Sequence, residues 1–240
     1  LACTAGNYCD TTGTTAPTNC GAGNYCNEGA TAALKCPRGY YCDSATHQES
    51  DMNVCTAGHL CPEGTSTVPG GTEECPAGYY CLQGTLVPFP CPPGTYRTDT
   101  GAAVETDCGK TPAGSFIDSF AVTTAGSGNC LAVHYCPEGS YEPIPCPPGT
   151  YRAATGATAE SDCIACEAGT YCAYEGTSST TACPAGHYCP KGSTAPTPCP
   201  IRTFDSSGGL TAESECTQCT EGSYCDEPGL TAVTGTCKAG

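Results

Sequence analysis

One phrase returns fourteen times along this chain: Cys-x-x-Gly-x-Tyr, usually closed by a second Cys. Copies start at Cys3, Cys20, Cys36, Cys55, Cys75, Cys91, Thr111, Cys130, Cys146, Cys166, Cys183, Cys199, Cys219 and Cys237. The mean spacing is (237 − 3)/13 = 18 residues. Self-similarity at so short a period means a linear array of small units, each held mainly by its neighbours.

Composition explains why such units need staples. The chain has 8 Leu, 4 Ile, 7 Val and 4 Phe, about a tenth of its 240 residues. A chain below roughly a fifth in these residues does not bury enough apolar surface to fold on a core alone. Cysteine fills the gap, at 25 of 240, a density typical of disulfide scaffolds in oxidising compartments. The expected fold is therefore an elongated rod of small disulfide-rich repeats, made of short β-hairpins and turns, with almost no helix and no globular core. The Pro and Gly density leaves no apolar 3.6-residue period for helices.

The units have a second-order period of 53–55 residues, with super-repeats near Cys20, Cys75, Cys130, Cys183 and Cys237. The organisation read from this is one short unit over 1–19, a triplet of short units over 20–74, and a triplet with one degenerate unit over 75–129. Triplets over 130–182 and 183–236 follow, and 237–240 begin a further unit. The middle unit of the last three triplets reads Cys91-Pro-Pro-Gly-Thr-Tyr-Arg, Cys146-Pro-Pro-Gly-Thr-Tyr-Arg and Cys199-Pro-Ile-Arg-Thr-Phe-Asp. It lacks a Cys six residues on and has one at +17 instead.

Two simple pairings fit these spacings. In the first, each unit closes on itself. Nine short rings result: Cys3–Cys9, Cys20–Cys26, Cys36–Cys42, Cys55–Cys61, Cys75–Cys81, Cys130–Cys136, Cys166–Cys172, Cys183–Cys189 and Cys219–Cys225. Three long ones join them, Cys91–Cys108, Cys146–Cys163 and Cys199–Cys216, and Cys237 is left unpaired or linked outside the segment. In the second, neighbouring units are linked, from Cys9–Cys20 to Cys225–Cys237, and Cys3 is stranded. An interleaved scheme is a third. Spacing does not fix connectivity. One unit tilts the balance to self-closure: Thr111-Pro-Ala-Gly-Ser-Phe-Ile117 lacks both cysteines at once, as loss of a self-closed pair predicts.

Gly recurs at the fourth place of each unit, where a tight turn wants positive φ. Val133 and Arg202 break the rule, and positive φ there means strain. An aromatic sits two residues on (Tyr80, Tyr96, Phe116, Tyr135, Tyr151 among others), expected to pack on its own disulfide and the next unit.

No catalytic constellation shows through the array, and the chain reads as a non-enzyme with no cofactor. Only Cys163–Cys166 and Cys216–Cys219 have C-x2-C spacing, and no His lies near either, so the spacing is framework rather than zinc knuckle. His59, His134 and His187 share one repeat position, read as a surface register. The acidic pairs Glu105/Asp107, Glu160/Asp162 and Glu213/Glu215 recur before the long-ring Cys. Without a calcium-loop pattern they read as a solvated acidic face. A net charge of −16 argues against nucleic acid and anionic lipid, and no run is long and apolar enough to insert in a membrane.

There is no Asn-x-Ser/Thr sequon, whereas Thr numbers 36 and Ser 15 among 21 Pro. That is the composition of O-glycosylated stalks. The expected acceptors lie in Thr11-Thr12-Gly13-Thr14-Thr15 and Thr177-Ser178-Ser179-Thr180-Thr181.

Cys75-Pro-Ala-Gly-Tyr-Tyr-Cys81, followed by Cys91-Pro-Pro-Gly-Thr-Tyr96 and Asp107-Cys108, resembles the ephrin-receptor-like cysteine-rich repeat; so does Cys130 to Cys172. The unit is also similar to the start of tumour-necrosis-factor-receptor modules, in which a Cys-x-x-Gly-x-Tyr start pairs with a later Cys. That similarity implies Cys91–Cys108 and its equivalents. The resemblance is strongest over 75–225 and weaker at 1–74 and 109–129. It implies an extracellular, elongated scaffold, known in long arrays in protist and algal surface proteins, and brings no catalytic residues.

Two functional classes follow. One is a structural segment of an extracellular filament, flagellar hair, coat or wall, self-associating along the array and covered by glycans. The other is a receptor or adhesin ectodomain binding protein or carbohydrate, with 109–129 (Phe116, Ile117, Phe120) as its natural site.

Overall fold

The structure, a computed structural model, describes residues 3–10, 16–44, 48–67, 73–126 and 128–237. The described residues form thirteen two-stranded antiparallel hairpins, one for each unit that starts between Cys3 and Cys219. The first strand is always the fifth and sixth residues of a unit, and the second is the two residues before the next unit's first Cys. Thus Tyr79–Tyr80 pairs with Phe89–Pro90, and Thr150–Tyr151 with Ile164–Ala165. Proline is tolerated in these second strands because each sheet is all edge. Among the described residues there is no α-helix. Four single 3-10 turns occur, at Glu49–Asp51, Glu105–Asp107, Glu160–Asp162 and Glu213–Glu215. The turns before Cys108, Cys163 and Cys216 belong to the long rings; the one at Glu49–Asp51, in a short unit, has no counterpart in the repeat pattern.

The disulfides are the self-closed set. Nine short rings bridge residues six apart, with Cα–Cα distances of 5.7–6.3 Å. The long rings are Cys91–Cys108, Cys146–Cys163 and Cys199–Cys216. Cys237 is free and exposed. Half-cystines make up most of what is buried. Most fourth-position glycines are buried too, such as Gly39, Gly78, Gly149 and Gly186, and the remaining buried side chains are few: Ala102, Ala157, Thr65, Thr85, Ser140, the degenerate unit's Thr111 and Ile117, and Asp205. A two-residue hairpin is not stable alone in water, so order comes from the ring inside each unit and the backbone bonds between units.

Those bonds repeat. The N–H that opens each unit donates to the carbonyl of the fourth residue of the unit before, as in Cys91 to Gly78 (2.9 Å) and Cys183 to Gly169 (2.9 Å). The fourth-residue N–H donates forward to the seventh residue of the next unit, as in Gly58 to Cys81 (2.8 Å) and Gly169 to Cys189 (2.8 Å). A second glycine, nine or ten residues into a unit, donates back to the previous unit's first residue, as in Gly101 to Cys75 and Gly192 to Cys166, both 2.8 Å. This second glycine register, which includes Gly64, Gly84, Gly156, Gly209 and Gly229, also has positive φ. It is visible in the sequence once the units are aligned, but the Cys-x-x-Gly-x-Tyr phrase does not contain it.

Packing reaches one unit further. A Cβ on Gly149 would lie 2.5 Å from the carbonyl oxygen of Gly192, two units on; on Gly58 it would lie 2.7 Å from that of Gly101. The turn glycine is therefore demanded twice, by its φ of +84° and by a backbone pressed against its bare Cα. Val133 (φ +65°) and Arg202 (φ +72°) do adopt the left-handed region, as does Ala121 (φ +58°) in the second register. Val133, being β-branched, carries the most strain of the three.

The chain divides into two compact bodies: 1–111 with 117–126, and 112–116 with 127–240. The division runs through the degenerate unit.

Candidate functional site

The residues that set one unit apart from another are those where the closing Cys is missing. In the long units the seventh residue is Arg97, Arg152 or Asp205. Arg152 holds its loop by donating from Nε to the Ala154 carbonyl (3.1 Å) and from Nη1 to the Asp162 carbonyl (2.7 Å). Arg97 does the same with Asp99 (3.2 Å) and Asp107 (3.0 Å). Asp205 works with the opposite polarity. Its carboxylate accepts from the Ser207 N–H and hydroxyl (3.0 Å each) and the Gly208 N–H (2.9 Å). Burial alone would raise its pKa; those donors outweigh it and hold the carboxyl below the usual range. At all three positions the polar side chain holds the loop that follows it, while the unit's first Cys closes the longer ring.

The acidic pairs are not simply a solvated face. The second member folds back: Asp107 accepts from the N–H groups of Ala103 (2.7 Å) and Val104 (3.1 Å). Asp162 accepts from the Thr158 N–H (2.7 Å) and hydroxyl (3.0 Å) and the Ala159 N–H (3.2 Å). Glu215 takes the Thr211 N–H and hydroxyl, both at 2.7 Å. These backbone donors lower all three pKa values. They satisfy amides at the mouth of each 3-10 turn, where acidic side chains are favoured. The first members stay exposed, but Glu105 and Glu213 each accept from the tyrosine hydroxyl of the preceding unit, Tyr80 (3.5 Å) and Tyr188 (3.4 Å). Burial and the neighbouring Glu213 carboxylate raise the Tyr188 pKa. The backbones of Tyr135 and Tyr188 also bridge forward in parallel to Ala157 and Leu210 of the next unit, so at Tyr80 and Tyr188 the hydroxyl, and at Tyr135 and Tyr188 the backbone, reaches the next unit.

The histidines are likewise structural. His59, His134 and His187 are half-buried rather than on an open surface. Each Nδ1 faces the carbonyl two residues back, at 3.4, 2.9 and 3.1 Å, where an Nδ1–H tautomer donates. No group of three or more His, Cys, Asp or Glu suited to a metal ion occurs among the described residues. No helix there is long and apolar enough to cross a membrane.

The degenerate unit folds as an ordinary one. Ile117 and Thr111 are fully buried, at the places of the two missing cysteines. Phe116 lies across from Gly128 in its own hairpin. Only Phe120 remains displayed, 63% exposed.

The Thr hydroxyls fall into two groups. Thr95, Thr150 and Thr203 donate to the carbonyls of Pro92, Pro147 and Pro200, each at 2.6 Å. Thr177 donates to the Tyr174 carbonyl (2.8 Å) and is half-buried, so of the second Thr/Ser cluster it is the one already engaged. Ser178, Ser179 and Thr181 are exposed and Thr180 half-buried. Thr11, Thr12, Thr14 and Thr15 lie outside the described residues.

One apolar groove stands out. Leu82, Leu86, Val87, Pro88 and Phe89 line a shallow depression of about 520 Å³ on the loop of the 75–90 hairpin. Phe89 stacks on Tyr80 with ring centroids 5.5 Å apart. Compared with known proteins, the chain matches no family model and no curated sequence.

Proposed function

We propose that this chain is a structural segment of an extracellular filament, hair, coat or wall: a disulfide-stapled, non-catalytic array that self-associates along its length. Its twelve disulfides suit a secreted setting. The observation that carries the reading is the backbone seam. The same hydrogen bonds join unit to unit whatever the side chains, whether the donor is Gly94 to Ile117 (2.8 Å) or Val133 to Arg152 (3.1 Å). An interface written in backbone can be repeated indefinitely, and a repeated head-to-tail contact grows into a filament. The polar side chains at the recurring positions hold shape: Arg97, Arg152, Asp107, Asp162, Asp205 and Glu215 are all engaged with local backbone. Exposed hydroxyls such as Ser178, Ser179 and Thr181 are the sites for O-linked glycans. The resemblance to ephrin-receptor-like arrays is in keeping with this placement.

Imaging of native material with glycopeptide mass spectrometry tests the reading. Filaments with an axial period and hexose-bearing Thr and Ser are expected. Isolated, membrane-tethered monomers with bare hydroxyls would favour a receptor ectodomain. In solution, a compact chain of this length has a radius of gyration of about 18 Å; a value below about 22 Å would count against an extended array.

A further inference from the structure

The groove at 82–89 is the larger and the uncharged one of two at equivalent places in the repeat; its counterpart, lined by Pro137, Tyr141 and Ile144 but also by Glu138 and Glu142, measures about 280 Å³. Leu82, Leu86, Val87 and Phe89 are 43, 56, 71 and 44% exposed, in a molecule that has few large apolar side chains to spend. The surface extends beyond the loop. Leu86 Cδ2 lies against the Gly39 turn and Val54 against Gly84. Leu60 shares an adjoining cleft of about 140 Å³ with Leu86, Val87 and Pro88. The equivalent position in the next triplet is Tyr141-Glu142-Pro-Ile144, flanked by Glu138. In the last it is Thr194-Ala195-Pro-Thr197. The hairpin itself therefore does not require Leu-Val-Pro-Phe.

Charge says what can cover it. Residues 75–96 contain no Asp, Glu, Lys or Arg and form the longest charge-free run in a chain of net charge −16. Two copies of so acidic a protein repel over most of their surfaces, and least where this run is displayed, although Glu73 lines the adjoining cleft and Glu105 meets the Tyr80 hydroxyl. The adjoining cleft is rimmed by Arg38 and Glu73, one of each sign, as a self-complementary two-fold contact needs and as a strongly cationic partner would not. We propose that this apolar surface is where two copies of the chain pair side by side, a lateral contact distinct from growth along the array. A patch of a few hundred Å² on each partner is at the small end for stable association, so the pairing is weak in free solution, with a dissociation constant on the order of 100 µM, and is reinforced where arrays already lie parallel.

The chain supplies its own control. Leu86→Thr, Val87→Ala and Phe89→Thr together install the residues of the last triplet at the same place in a hairpin of the same length. The reverse graft, Thr194→Leu, Ala195→Val and Thr197→Phe, adds a second patch. All variants carry Cys237→Ser, to prevent disulfide dimers through the free thiol. Sedimentation equilibrium from about 10 µM to 1 mM should show the parent pairing, more strongly as salt rises from 0.05 to 0.5 M because repulsion is screened. The first variant should pair at least ~100-fold more weakly, as loss of three buried apolar side chains implies, and the reverse graft more strongly. Titration showing no free thiol establishes that each variant is intact. A parent that stays monomeric throughout, because a glycan or another protein is the true occupant, overturns the inference. So does a Thr-Ala-Thr variant that pairs as well as the parent. Filaments that grow end to end from unpaired strands would overturn it while leaving the proposed function standing.

Discussion

Restoring the disulfide that the degenerate unit lacks should stabilise it. Thr111 and Ile117 are six residues apart, as in every short ring, and their backbones make the array's usual bonds: Thr111 N–H to Gly94 at 2.9 Å, and Gly94 N–H to the Ile117 carbonyl at 2.8 Å. The nine short rings hold the same positions with Cα atoms 5.7–6.3 Å apart, inside the window a disulfide tolerates. Thr111→Cys with Ile117→Cys should therefore close without backbone movement. A seven-residue ring stabilises by ~2.4 kcal/mol in the chain-entropy treatment. The substitution also removes the buried Thr111 hydroxyl, whose oxygen has no hydrogen-bond partner, for a gain of about 1 kcal/mol. Exchanging a fully buried Ile for Cys costs about 1.5 kcal/mol of apolar burial. The net is about 2 kcal/mol. Because an array opens locally, hydrogen exchange reads this directly: the Gly94 and Thr111 amides should exchange about 30-fold more slowly. Mass spectrometry of non-reduced digests should find the 111–117 link. Two titratable thiols at these positions, or unchanged exchange, would refute the claim that the degenerate unit keeps the ring geometry without the ring.

Gly149→Ala should destabilise by more than about 2 kcal/mol, because the φ penalty adds to a Cβ 2.5 Å from the Gly192 oxygen. Gly156→Ala, with φ +76° but open space around it, should cost only about 1 kcal/mol; equal losses in denaturant melts would deny the contact two units away. Val133→Gly should stabilise by about 1 kcal/mol in the same assay by relieving a φ of +65°. Asp107, Asp162 and Glu215 have lowered folded pKa values, so their contribution is complete above the unfolded values and lost as the pH falls through the folded ones. Protease cutting at 103–107, 158–162 and 211–215 should rise as the pH drops below 3.8, the ordinary Asp value, and Asp162→Asn should abolish that dependence at its own turn. Full reduction should remove protease resistance while a chelator leaves it intact; loss of order in chelator alone would contradict a disulfide framework.

Much of this protein is legible in its sequence, because repetition and cysteine spacing are local facts. The recurring Cys-x-x-Gly-x-Tyr phrase, the scarcity of large apolar residues and the Pro and Gly density leave no alternative to stapled hairpins. The two non-glycine turn positions, Val133 and Arg202, announce their strain by breaking the phrase. What spacing does not contain is partnership at a distance. It left self-closed and neighbour-linked cysteines both open, since either set of rings is short enough to close. It gave the acidic pairs the look of a solvated face, because whether Asp162 meets water or the Thr158 amide depends on how a 3-10 turn curls back on the loop. It showed one glycine register and not the reason for the second, which lies in contacts such as Gly149 against Gly192, 43 residues apart in sequence and adjacent only because each unit is overlain by the one two ahead. Leu86 likewise joins a larger apolar surface only because the turn at Gly39 is brought against it. The sequence by itself determined the unit and its length, because the Cys-x-x-Gly-x-Tyr phrase recurs within a short span; the tertiary structure decided how the cysteines close and what each unit rests on, because pairing and backbone contacts depend on which segments meet in space and not on their spacing.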